Sequence, residues 1–299
     1  MQKTSLVTLL VSSVLCLVGG VLAPAQTFAA ANKVVLSADT NTKVVPVVPS
    51  KFGIRALIIR STSLYDFQDG TRSDGMDYAL LPSYKTSVGS FSAKIIYSQN
   101  LNDQSPEASD INDIGLTYAM KPIKWEWSPP YILTLAPTFS AVVPASRVSQ
   151  KRDQLQTAFS AGASFGIIPD GIAAEKDGAW DLAIGLTVGR NFHAYEESLD
   201  GSVILNQYSS NQTLNLGYSY KQWSVGVEYI HKSRWSYQGN VQDSFELSQE
   251  IGYEINKNVA VALGHANAGP GLKANGSEPS LNVINENDSA VYAQLGVSF

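Results

Sequence analysis

His231 and Ser233 stand two residues apart in the run Trp223-Ser-Val-Gly-Val-Glu-Tyr-Ile-His-Lys-Ser-Arg-Trp235. On an extended strand, positions i and i+2 share a face. An imidazole can therefore sit beside a hydroxyl, as a nucleophilic serine requires, provided that a third polar group orients the ring. No well-placed third group is legible, since Asp243 falls nearer the following loop. The other phase of the same segment carries Glu228, Lys232 and Arg234, and the next segment carries Glu246, Glu250 and Glu254 in the matching phase. Acids and bases opposed across a watery constriction create a transverse field that orients dipolar solutes. Paired tightly across strands, the same groups would instead fill and stiffen an interior. Asp113, Asp181, Lys85 and Lys94 share the inward phase but are scattered along the chain. His193 and His265 are isolated and make no metal-ligand spacing. No cofactor motif accompanies them.

These residues need strands to position them, and the chain supplies about twelve segments of roughly ten residues with period-two apolar character. They fall at about 54–65, 76–86, 89–99, 111–121, 130–143, 155–167, 180–195, 206–220, 223–237, 242–256, 258–267 and 289–299. In the seventh, Trp180, Leu182, Ile184, Leu186 and Val188 alternate with Asp181, Ala183, Gly185, Thr187 and Gly189. The first is ambiguous, because Arg55-Ala-Leu-Ile-Ile-Arg60 does not alternate cleanly. Connections alternate too. Thr86-Ser-Val88, Tyr220-Lys-Gln222 and Asn256-Lys-Asn258 are short, with 121–130 and 169–178 expected as longer members of that side. The other side is mostly long and polar, ending in the loop 268–288, whose expected role is that of a solvated extracellular loop.

The final segment alternates Val291, Ala293, Leu295, Val297 and Phe299 with Tyr292, Gln294, Gly296 and Ser298. It resembles the last strand of bacterial outer-membrane β-barrels, in which a terminal aromatic is read by the barrel-assembly machinery. That resemblance implies an assembly signal at Phe299 and partnership with outer-membrane lipid and that machinery. Short turns on one side, longer loops on the other and aromatics near both strand ends fit the same class. The fold expected is an all-β, closed antiparallel transmembrane barrel of about twelve strands, with both ends in the periplasm. A soluble β-sandwich also alternates, but buries its aromatics centrally. The His231-Lys-Ser233 spacing is similar to the His-x-Ser of the outer-membrane phospholipase A family, whose active site lies on the lipid side. That family continues with Asn where this chain has Arg234.

The formal net charge of −5, the 44% hydrophobic content and the absence of a dense Lys/Arg cluster argue against disorder and against nucleic-acid binding. Met1-Gln-Lys3, the apolar run Leu6 to Val18 and the small residues from Ala23 to Ala31 read as a secretory signal peptide over 1–31. The single cysteine, Cys16, lies inside it. Residues 32–50 are expected to lie in the periplasm or insert into the lumen, and 51–299 to form the barrel.

The function expected is a channel for passive or weakly selective diffusion of small hydrophilic solutes, with Glu228, Lys232, Arg234, Glu246, Glu250 and Glu254 lining the pore. One alternative is a non-conducting surface or adhesion barrel acting through its loops. The other is a lipid hydrolase using His231 and Ser233. No enzymatic activity, metal or cofactor is expected of the first reading.

Overall fold

The computed structural model describes residues 51–64, 73–102, 108–128, 131–169, 178–271, 283–284 and 289–299. Residues 1–31, expected as a signal peptide, residues 32–50 and most of the loop 268–288 lie outside them. Fourteen strand segments form one sheet: β1 (Phe52–Ser63), β2 (Asp74–Lys85), β3 (Gly89–Asn100), β4 (Ser109–Ile111), β5 (Ile114–Met120), β6 (Ile123–Ser128), β7 (Tyr131–Val143), β8 (Leu155–Pro169), β9 (Ala179–His193), β10 (Asn206–Tyr220), β11 (Trp223–Ser236), β12 (Val241–Asn256), β13 (Val259–Pro270) and β14 (Ser289–Ser298). All pairings are antiparallel, and β1 pairs with β14, which closes the ring. Closure leaves no open sheet edge, the condition that hydrocarbon imposes on a spanning sheet.

Twelve staves make the ring because β4, β5 and β6 are pieces of one. β4 and β5 both pair with β3, while β5 and β6 both pair with β7. The stretch 121–130, expected as a long connection, therefore carries Ile123–Ser128 as a strand continuing the stave. The breaks have local causes. Pro122 has no N–H to give a ladder. Asp113 accepts hydrogen bonds from the backbone N–H groups of Ala145 and Ser146, both at 3.0 Å, and so ties the β7–β8 connection to the wall.

Alternation sorts the side chains. Phe159, Phe165, Ile184, Leu186, Val188, Leu214, Leu216, Val225 and Leu263 lie on the exposed outer face, and the polar or small residues between them face inward. β1 breaks the pattern for a reason invisible along the strand. Leu57 and Ile59 point inward and are 5% and 4% exposed, packed with Ala79, Ile96, Leu81 and Tyr292.

At the end carrying the short turns, the ring of Phe91 packs tilted against Tyr118 with centroids 4.6 Å apart, Trp180 against Tyr218 at 4.8 Å and Trp223 against Tyr253 at 4.8 Å. Each is a cross-strand pair, the unit that stabilises sheets. At the opposite end, Arg190 lies 4.9 Å from the Phe192 ring centroid and 5.4 Å from that of Tyr208. Phe245, toward the same end of β12, is 5% exposed and thus covered.

Three outer connections, those after β7, β9 and β11, are tied together. Leu199 N–H donates to Arg152 O (2.8 Å), Ala194 N–H to Gln154 O (3.0 Å) and Tyr237 N–H to Leu205 O (3.2 Å).

Candidate functional site

Charged side chains collect on the inward face of β11 and β12 and on that of β1 to β3. Lys232 on β11 forms an ion pair with Glu246 on β12. Lys94 on β3 lies within electrostatic reach of Asp77 on β2, and also of Glu246 and Lys232. β3 and β11 stand six staves apart in either direction around the ring, so this electrostatic interaction spans the lumen. Lys94, which the sequence leaves among the scattered charges, thus belongs with Lys232 and Glu246.

A second group neighbours the first. The Tyr292 hydroxyl on β14 donates to Glu250 Oε2 on β12 at 3.0 Å. Arg55 on β1 and Glu228 on β11 both interact electrostatically with Glu250. Two carboxylates brought close repel, and Arg55 together with the phenol offsets that repulsion. Asp181, Asn215, Glu228, Ser248, Glu250 and Tyr292 line one recess in the wall of the lumen.

Arg234 and Glu254 do not join either group. Arg234 pairs in register with Gln242 near the outer rim, and Glu254 sits near the opposite end, where its N–H donates to Gln222 O at 2.8 Å. Arg55, Asp77 and Tyr292 were not singled out from the sequence. The irregular β1 hides Arg55. Tyr292 did leave a signal: it is the one aromatic in a phase otherwise made of Gln, Gly, Ser and Ala.

The charged chord from β3 to β11 divides the lumen into unlike halves. The half bounded by β12, β13, β14, β1 and β2 contains the buried Leu57, Ile59 and Ala79 with Tyr292 over them. The half bounded by β7 to β10 presents Ser160, Gly162, Ser164 and Gly166 from β8 and Ala183, Gly185, Thr187 and Gly189 from β9. The residues lining that half are smaller than those packed on the other side.

On the outer face, Ser233 and Asp243 are direct cross-strand partners, and the Ser233 hydroxyl donates to Asp243 Oδ1 at 2.6 Å. His231 Nε2 lies 3.7 Å from the same oxygen. Asp243 is therefore well placed after all, because the β11–β12 register carries it alongside Ser233. The order is wrong for acyl transfer: the carboxylate stands between hydroxyl and imidazole, and no hydrogen bond joins His231 to Ser233. A serine nucleophile needs its proton taken by the imidazole. Phe299 is 79% exposed, while its backbone N–H donates to Ile54 O at 2.9 Å and anchors the β1–β14 seam.

No protein-family model matches the chain, and no curated protein matches its sequence. Among solved structures, an outer membrane channel from Pseudomonas putida F1 superposes with a TM-score of 0.52 at 11% identity, covering 87% of this chain and all (100%) of that one. The KdgM porin gives 0.42 at 11% identity over 82% of this chain and 99% of that one. The NanC porin gives 0.43 at 11% identity over 82% and 98%. The chain shares the fold of that outer membrane channel: a closed ring of twelve antiparallel staves, apolar outside and polar within.

Proposed function

We propose that the protein is a channel for passive, weakly selective diffusion of small hydrophilic solutes, with its path displaced toward the β7–β10 wall. The observation that carries this reading is the reach of Lys94 to Lys232 and Glu246 from the opposite stave. Opposed charges that interact across a barrel set a field over its lumen, and the glycine- and hydroxyl-lined half beside them offers a passage. The Pseudomonas putida protein of the same fold is an outer membrane channel, which supports the reading by analogy only. Glu228, Lys232, Glu246 and Glu250 act as pore-lining charges in this scheme, with Arg234 at the outer mouth and Glu254 at the inner one. Phe299, exposed at the seam, serves as the residue that the assembly machinery recognises.

Single-channel current through the barrel in a planar lipid bilayer tests the proposal. Discrete steps are expected, and Ser164→Phe, which puts a ring into the open half, should cut their amplitude by about half. A correctly folded barrel that passes no current would remove the channel reading and leave the surface-acting alternative. Lipid hydrolysis gains no support from the Ser233–Asp243–His231 order.

A further inference from the structure

Among the described strands, the outward phase carries Arg60 on β1 and Arg190 on β9 as its arginines and no lysine. Arg60 lies 3.6 Å from Asp74, so its charge is met within the chain. Arg190 has no carboxylate at ion-pair distance among the described residues. Its guanidinium lies instead between two rings, 4.9 Å from the centroid of Phe192 and 5.4 Å from that of Tyr208. Phe159 stands opposite Arg190 in register and meets Phe192 edge to face, with centroids 6.0 Å apart. Arg190, Phe159 and Tyr208 are all exposed. From Arg190 toward mid-strand, Val188, Leu186 and Ile184 continue the same face of β9 as an exposed apolar column.

A guanidinium keeps its charge at any ordinary pH and presents a planar fork of N–H donors. Ring faces attract the charge, but they do not replace an anion that accepts two parallel hydrogen bonds. Near the rim of a wall turned to lipid, a long cationic side chain reaches toward the polar interface. Headgroups occupy that level of a bilayer. A phosphate among them matches the arginine fork, and the acyl chains attached to it match the apolar column on β9. Phosphate free in solution would leave that column uncovered.

We propose that Arg190, framed by Phe159, Phe192 and Tyr208, seats the phosphate headgroup of a membrane lipid whose acyl chains lie along Val188, Leu186 and Ile184. The two rings over the guanidinium hold it in place before the lipid arrives, which lowers the cost of ordering it. Choice of phosphate over a neutral headgroup rests on Arg190. The apolar column adds affinity without distinguishing one headgroup from another.

Native mass spectrometry of the barrel, released from detergent micelles after incubation with a defined lipid, tests this. Dioleoyl phosphatidate should give a one-to-one adduct. Dioleoylglycerol, which has the same chains and no phosphate, should give about tenfold less. Arg190→Gln should lower the phosphatidate adduct about tenfold, Arg60→Gln should leave it unchanged, and Arg190→Lys, which keeps the charge without the fork, should fall between. Equal phosphatidate adduct in the wild type and Arg190→Gln, or equal adduct from the two lipids, would overturn the proposal. So would displacement of the lipid by inorganic phosphate at equal concentration, which would mark a site for the anion alone. Heat-modifiable migration shows that each variant is folded, and were Arg190→Gln not to fold, the two lipids on the wild type and Arg190→Lys decide the matter. Arg190 lies outside the lumen, so unit conductance should be unchanged in its variants. A silent barrel that binds phosphatidate removes the channel reading alone, and a conducting barrel that does not bind it removes this one.

Discussion

Tyr292 reaches Glu250 across an intervening strand, its hydroxyl donating to the carboxylate at 3.0 Å over Gly264 of β13. A Cβ on Gly264 would lie 2.2 Å from Tyr292 Cζ, so only glycine leaves the ring its seat. Gly264→Val should displace Tyr292 and destabilise the barrel by about 1–3 kcal/mol, as overpacking does. Tyr292→Phe keeps the ring and should cost about 1 kcal/mol by taking a donor from Glu250. Urea unfolding of the barrel in lipid vesicles measures both. A Gly264→Val midpoint equal to wild type would show that the ring does not depend on this space.

The chord of charge predicts opposite shifts in ion preference. Lys94→Met removes a cation from the crossing, so the channel should move toward cations by about twofold in permeability ratio. Glu246→Gln removes an anion and should move it toward anions by a similar factor. Reversal potentials under a salt gradient read the sign directly. Identical potentials in both variants would take these residues out of the permeation path.

In the connection after β9, Asp200 is held down to about pKa 2, first by the Ser198 hydroxyl and then by the Ser202 N–H and hydroxyl. The Ser198 contact is 2.6 Å long, and those from Ser202 are 3.1 and 2.8 Å. A carboxyl depressed in the folded state contributes stability above its ordinary pKa near 4 and loses it as pH falls through about 2. The 198–203 turn should keep its hydrogen-exchange protection at neutral pH and begin to lose it only below about pH 4. In Asp200→Asn that pH dependence should vanish. Persistence of the dependence in the variant would place its origin elsewhere.

Ser233 donates a hydrogen bond to Asp243 and makes none to His231. The wild-type barrel is therefore expected to release no fatty acid from phospholipid vesicles, and Ser233→Ala to behave identically. Release by the wild type that Ser233→Ala abolishes would require the three side chains to rearrange into a different order. Removing the hydroxyl also leaves Asp243 with one donor fewer, so a stability loss of about 1 kcal/mol is expected.

Period two was enough to read the barrel, because the outward face of the staves is largely apolar and the inward face largely polar or small. Val291 to Phe299, Trp180 to Val188 and Phe159 to Ile167 declare themselves one strand at a time. The inward phase of Glu228, Lys232, Glu246 and Glu250 follows from the same rule. Stave β4–β6 was legible only in part, since Pro122 looks like the end of a strand and only pairing with β7 shows that the stave continues.

What the sequence determined by itself was local: strand, phase, and which side of the wall each residue takes. What the tertiary structure alone decided was who meets whom around the ring. Lys94 and Lys232 are separated by more than a hundred residues, and nothing local to either predicts that β3 and β11 stand opposite. Tyr292 and Glu250 meet because the register of three strands sets Gly264 between them, and Asp243 joins Ser233 because the β11–β12 register aligns them. Alternation fixes a face through the geometry of one chain segment, whereas register and closure are set by the hydrogen-bond ladders of the whole sheet.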